Sequence, residues 1–285
     1  MLARVRTLHL RVVSLCYAVA LHSLYTQLPG LYGDHGLAPA SVALRQMAEA
    51  APESGLWLAW RHPTLLWLQP VSGLSVLHCM ELLCLLGAGL GLTLALVPSL
   101  ATKLPLALLW LVYISLYQVL TKSLIEWNTS KDTTHLTLTL YPRTVQVGGT
   151  FLHFQWDILL LEAGLLAVLA APGRCGRQQS SGSQDPVTMF LVRWLLFRMM
   201  FASGVVKLTS GCEAWWGLTA MPTHYSSQCL PSPLAWHASL APAWLHKLST
   251  LATFVIEIPL TFLFFAPTAA LRKLTFYCQV CCSSK

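Results

Sequence analysis

Apolar residues run through this chain in blocks separated by polar connections. Six blocks, at 10–28, 74–97, 104–120, 151–171, 189–206 and 248–265, approach or exceed the roughly 20 residues a helix needs to cross the hydrocarbon core. The predicted fold is an all-α integral membrane protein, a polytopic bundle of about six transmembrane helices. The third block is the shortest, and the fifth carries Arg193 and Arg198. Between the blocks, 172–186 is rich in Gly and Ser and reads as a flexible linker. The segment 120–146 is polar and Thr-rich, and its stretch from His135 to Tyr141 alternates like a strand. The pattern therefore divides the chain into N-terminal membrane helices (1–119), an atypical polar insert (120–146) and further membrane helices with a long loop at 209–245 (147–285).

Composition sharpens this picture. Of 285 residues, 55% are hydrophobic and 10% charged, whereas a soluble domain carries about 25% charged residues. Too few polar groups remain to cover a water-facing surface around so many apolar helices. The net charge of +7 does not point to nucleic acid, because the basic residues form no stripe and no aromatic-basic recognition motif. In a membrane chain such an excess sets topology instead.

With a cytosolic N-terminus, the cytosolic segments hold Arg4, Arg6, Arg11, Lys103, Arg174, Arg177, Arg272, Lys273 and Lys285. The opposite side holds Arg45, Arg61, Lys122, Lys131 and Arg143, spread over longer loops. That contrast favours a cytosolic N-terminus. Tyr25, Gln27, Pro29 and Gly30 stand at the end of the first block in place of a small-residue cleavage site, so it reads as an uncleaved signal anchor. The sequon Asn128-Thr-Ser130 then falls on the lumenal side, where it can be glycosylated. Cys212 and Cys229 share the lumenal loop 209–245, a compartment that permits a disulfide. A zinc site with His224 fits no standard ligand spacing.

Charged residues well inside the blocks include Glu81, Asp157, Glu162, Arg193, Arg198 and Glu257, with Lys207 at an edge. Each costs about 2.5–3.5 kcal/mol at the membrane centre on insertion scales, so each needs a reason to be there. Three readings are open: pairing across helices that fixes the packing, a cavity for lipid or a polar ligand, and proton or ion translocation. Asp157 and Glu162, five residues apart, point about 140° apart on a helix and form no carboxylate pair unaided. Gly87 and Gly91 form a small-xxx-small pattern that permits close helix approach within the chain. Cys278, Cys281 and Cys282 follow a basic pair in a pattern compatible with palmitoylation. The chain shows no Ser elbow, no Walker loop and no HExxH. Neither an enzyme nor a cofactor is expected.

The most informative residues are long ordered blocks. Arg193-Trp-Leu-Leu-Phe-Arg-Met-Met-Phe-Ala-Ser-Gly-Val-Val-Lys-Leu-Thr-Ser210 is followed by Ala214-Trp-Trp-Gly-Leu-Thr-Ala220, His224-Tyr225, Gln228-Cys-Leu-Pro231, Trp244-Leu-His-Lys247 and Glu257. Upstream lie Leu24-Tyr-Thr-Gln-Leu-Pro-Gly-Leu-Tyr-Gly33 and Phe154-Gln-Trp-Asp-Ile-Leu-Leu-Leu-Glu162. This series closely resembles the lipase maturation factor family over most of residues 8–280. The resemblance implies a multi-pass protein of the endoplasmic reticulum that assists maturation and secretion of secreted lipases or other secretory clients. It carries client contact onto 209–245, with Trp215, Trp216, His224 and Tyr225 as candidates, and gives none of them a catalytic role. Two departures from the family pattern stand out, the insert at 120–146 and the C-terminus at Lys285, and both read as products of alternative splicing.

Two other classes compete with the maturation factor. A membrane-embedded lipid-binding protein or enzyme, distantly similar to vitamin-K-dependent carboxylase, would use the buried charges; this is analogy of fold alone. A transporter ranks last, since the chain lacks repeated halves with matching broken helices.

Overall fold

The computed structural model describes residues 2–37, 39–49, 64–129, 155–172, 184–227 and 233–283. All regular structure among them is helical. The chain forms two compact units, residues 1–188 and 189–285, and the division falls within one helix.

The first unit contains α1 (Leu2–Tyr32), α2 (Ala40–Glu49), the single turn α3 (Gln69–Ser72), α4 (Val76–Leu96), α5 (Lys103–Thr129) and α6 (Gln155–Ala170). Its most extensive packing joins α1 to α4. Gly91 makes this possible: a Cβ there would lie 2.8 Å from the Ser14 carbonyl oxygen and 3.1 Å from the Ala18 nitrogen. One turn earlier, Gly87 faces the Leu21 side chain. The small-xxx-small pattern thus packs two helices of the same chain. The core continues through Leu10, Tyr17, Leu21, Leu28, Met80, Cys84, Leu94, Leu109 and Leu116. A polar clasp ties the segment before α3 to α5, because Thr64 Oγ1 donates to the Ser115 carbonyl at 3.1 Å and the Leu65 amide donates to Ser115 Oγ at 3.1 Å.

The helix α7 (Gln184–Thr209) leads into the second unit, which continues with α8 (Glu213–Trp216), α9 (Ala220–Ser227), α10 (Pro233–Ser239), α11 (Ala243–Glu257) and α12 (Ala269–Ser283). The expected loop 209–245 is therefore largely built of short helices where it is described. Phe190, Trp194, Phe197 and Phe201 recur at three- and four-residue steps and line one face of α7. Phe197 meets Phe262 edge-on at 5.1 Å and Phe265 at 5.4 Å. Such contacts add about 0.5–1.5 kcal/mol each beyond simple burial.

The apolar block 248–265 is not one uninterrupted α-helix. It changes at Ile258 to a 3-10 helix, Leu260–Phe265, because Pro259 has no amide hydrogen to continue the ladder. Just past the break, Thr261 donates its hydroxyl to the Ile258 carbonyl at 2.6 Å. The helix α12 occupies what the sequence reads as a cytosolic tail, and Gln279 Nε2 donates to the Ile256 carbonyl at 2.6 Å.

Four helical segments among the described residues are long and apolar enough to cross a membrane: Arg4–Tyr32, Val76–Leu96, Pro186–Thr209 and Ala243–Phe265. Within α5 the apolar stretch Lys103–Gln118 is shorter, and α6 has 16 residues. The chain is a helical membrane protein; by length and composition four of the about six expected spans are found at full length among the described residues.

Candidate functional site

Two polar constellations interrupt the apolar helices, one in each unit. In the first unit, Tyr17 crosses from α1 to α6 and donates its hydroxyl to the Leu160 carbonyl at 2.8 Å. Gly164 makes room for that ring, since a Cβ there would stand 2.8 Å from Tyr17 Cζ. Tyr17 meets Tyr113 of α5 edge-on, with centroids 5.2 Å apart. Tyr113 donates to Asp157 Oδ1 at 2.5 Å, and Trp110 Nε1 donates to the Leu161 carbonyl at 2.9 Å. Asp157 lies in the first turn of α6, where the helix dipole favours a carboxylate.

Asp157 and Tyr113 also form part of a cavity of about 210 Å3, with Ser23, Leu24 and Gln27 of α1 and Tyr117 of α5 among its lining residues. Gln27 Nε2 donates to Ser23 Oγ at 3.0 Å along one wall. Sequence reasoning singled out Asp157 but not Tyr17, Tyr113 or Tyr117. A tyrosine within an apolar run is an ordinary membrane residue, and only the helix rotation brings Tyr113 and Tyr117 to the carboxylate and sets Tyr17 against Tyr113. The usable signal was polar: Ser23 and Gln27 sit four residues apart inside a predicted span.

In the second unit, Lys207 near the end of α7 is ringed by partners. Its Nζ donates to Glu257 Oε1 at 2.7 Å, Glu257 Oε2 at 2.6 Å and Ser203 Oγ at 2.8 Å. It also stands 5.3 Å from the centroid of the Trp215 ring, within cation–π range. Trp215 in turn meets Phe254 of α11 edge-on at 5.7 Å. Gly204 admits α11, because a Cβ there would lie 2.6 Å from Ile258 Cγ1 and 3.0 Å from Glu257 Cβ. The ammonium group is thus held by a carboxylate, a hydroxyl and an indole, and both charged side chains are largely buried. This arrangement is suited to fixing α7, α8 and α11 together.

The other sequence candidates lie apart from these clusters. Trp216 follows Trp215 but is 65% exposed, with Nε1 donating to the Leu208 carbonyl at 3.2 Å. His224 is exposed on α9, and Tyr225 packs against the buried His246 of α11 with centroids 6.0 Å apart. Glu81 and Glu162 are half-buried, while Arg193 and Arg198 are exposed on α7. Cys212 is exposed at the start of α8, and its proposed partner Cys229 lies outside the described residues. The backbone of Asn128 belongs to the last turn of α5, whereas Ser130 and the strand-like stretch 135–141 lie outside the described residues.

The family model for the lipase maturation factor transmembrane domain matches residues 4–129 and 121–284. Lipase maturation factor 2 of Gallus gallus is 48% identical over 280 residues, covering 97% of this chain and 35% of the relative. The Homo sapiens protein of that name is 46% identical over 285 residues, 96% of this chain and 36% of the relative. Lipase maturation factor 1 of Mus musculus is 29% identical over 262 residues, 91% of this chain and 40% of the relative. No solved structure matches. The chain spans about a third of the length of the lipase maturation factor 2 relatives it matches. From the family match, the apolar helices and these alignments together, the chain belongs to the lipase maturation factor family.

Proposed function

We propose that this chain is a non-enzymatic maturation factor of the endoplasmic-reticulum membrane, engaging secreted lipases or other secretory clients through its lumenal segment 209–245. The observation that carries this reading is the family match over nearly the whole chain, with relatives named for lipase maturation. A second observation supports the choice of segment. Trp216, Trp236, Leu240 and Trp244 are all exposed in or beside it, and large exposed apolar groups mark either a membrane interface or a protein-binding surface.

The proposed topology has a cytosolic N-terminus, on the basic-residue contrast. It places residues 120–146 on the lumenal side as an insert, with glycosylation at Asn128. The helix α5 continues eight residues from Leu120 to Asn128, which lifts that backbone about 12 Å beyond the predicted span. A disulfide between Cys212 and Cys229 would close the client-binding segment.

Co-precipitation of the full chain with an immature secreted lipase tests the reading, alongside Endo H digestion. We expect client capture that drops when Trp216 is replaced, and an Endo H-sensitive glycan that Asn128→Gln removes. A stable, membrane-inserted chain that captures no immature lipase and carries no glycan at Asn128 would overturn the proposal.

A further inference from the structure

The Asp157 cavity has a chemistry that client binding does not call on. Its lining brings together one carboxylate, the phenol rings of Tyr113 and Tyr117, and the small polar groups of Ser23 and Gln27. Among the described residues Asp157 forms no ion pair, and Tyr113 is its hydrogen-bond partner through Oδ1. Among the described residues no Lys, Arg or His lines the cavity. A carboxylate held by one phenol and a helix N-terminus, with no counter-charge among the described residues, is still costly in an apolar helical layer, and a cation brought by a ligand would offset that cost.

We infer that this cavity binds an alkylammonium group, held by Asp157 and by the rings of Tyr113 and Tyr117. Aromatic faces beside a carboxylate are the usual surroundings for ammonium and quaternary ammonium ligands. An anionic group would meet the carboxylate with no basic side chain among the described lining residues to receive it. A metal ion fits poorly, because no group of three His, Cys, Asp or Glu side chains comes together among the described residues. At about 210 Å3 the space is below the roughly 300–1,000 Å3 of pockets that enclose whole drug-sized ligands, and it suits a headgroup better than an entire lipid.

Position favours the same ligand. Ser23, Leu24 and Gln27 lie in the last third of the span Arg4–Tyr32, and Asp157 lies at the start of α6. The cavity is therefore nearer one end of these helices than their middle, at a depth a phospholipid amine can reach. The same ammonium chemistry occurs in zwitterionic phospholipids and in free amines such as choline and ethanolamine. This inference is independent of client binding and stands or falls separately.

The test uses the full chain purified in detergent and read by native mass spectrometry and thermal shift. The lipid arm compares phosphatidylcholine, phosphatidylethanolamine and phosphatidylglycerol with identical acyl chains. The soluble arm uses choline chloride and ethanolamine hydrochloride. We expect the two amine lipids to be retained about tenfold better than phosphatidylglycerol, with Asp157→Asn abolishing the preference and Tyr117→Leu weakening it about tenfold. Stabilisation by choline or ethanolamine without lipid retention would support the site and identify a soluble amine as its source. Equal retention of phosphatidylglycerol together with no effect of either free amine would overturn it. So would an unchanged preference in Asp157→Asn. If that variant fails to accumulate, Tyr117→Leu decides: full amine retention in the folded variant overturns the inference.

Discussion

Tyr17 lies over Gly164, with its hydroxyl donating to the carbonyl of Leu160 one turn earlier on the same helix. A bare stretch of α6 thus receives a ring from α1, and the same ring meets Tyr113 edge-on. A side chain at Gly164 would have to displace Tyr17 and loosen both contacts. Gly164→Ala should therefore destabilise the protein by about 1–3 kcal/mol, the usual cost of overpacking. Thermal unfolding in detergent checks this, and the double variant with Tyr17→Leu should recover part of the loss. An additive double variant would show that the ring and the glycine act independently.

Gly89 and Gly91 provide an internal comparison on α4. A Cβ at Gly91 would press on the backbone of α1, whereas a Cβ at Gly89 would have no neighbour within 4 Å. Gly91→Leu should separate the helix pair and lower the melting temperature markedly. Gly89→Leu should leave it nearly unchanged. Equal losses from both would show that helix propensity, rather than the α1–α4 contact, governs the effect.

The ion pair between Lys207 and Glu257 predicts a different pattern. Their charged atoms are 2.6 Å apart, and their side chains are 19% and 10% exposed. Removing one partner strands the other in a desolvated site, so Lys207→Met or Glu257→Gln alone should cost about 3–5 kcal/mol. Replacing both by apolar residues of similar volume should restore most of the stability, because neither buried charge then remains. Unfolding of the two single variants and the double variant measures the coupling directly.

The fold was most legible where composition alone decides it. The block 74–97 is so uniformly apolar that α4 falls almost exactly within it. At 10–28 the core of the span was evident, but α1 starts at Leu2, since nothing among Arg4, Arg6 and Arg11 interrupts a helix. The break at Pro259 was written in the sequence, and an apolar average over 248–265 hides it. The charged residues were legible one by one, whereas their surroundings were not. Lys207 finds Glu257 fifty residues away, and Asp157 finds Tyr113 rather than a basic residue. Both outcomes depend on how each helix is rotated about its axis, and near-uniform apolar faces carry little record of that rotation.

The adjacent tryptophans Trp215 and Trp216 should separate folding from client binding. Trp215 packs on Phe254 and stands beside the Lys207 ammonium, contacts worth about 0.5–1.5 kcal/mol for the aromatic pair and up to about 2 kcal/mol for a desolvated cation–π contact. Trp216 projects outward and is mostly exposed. Trp215→Ala should therefore lower the melting temperature and reduce client capture only to the extent that folded protein is lost. Trp216→Ala should leave the melting temperature within a degree or two and still weaken co-precipitation of an immature lipase. Measuring both quantities on both variants gives four readings, and the proposed client surface stands on one of them. If Trp216→Ala captures client as well as the parent chain does, the exposed indole belongs to the membrane interface, and client contact must be sought elsewhere in 209–245.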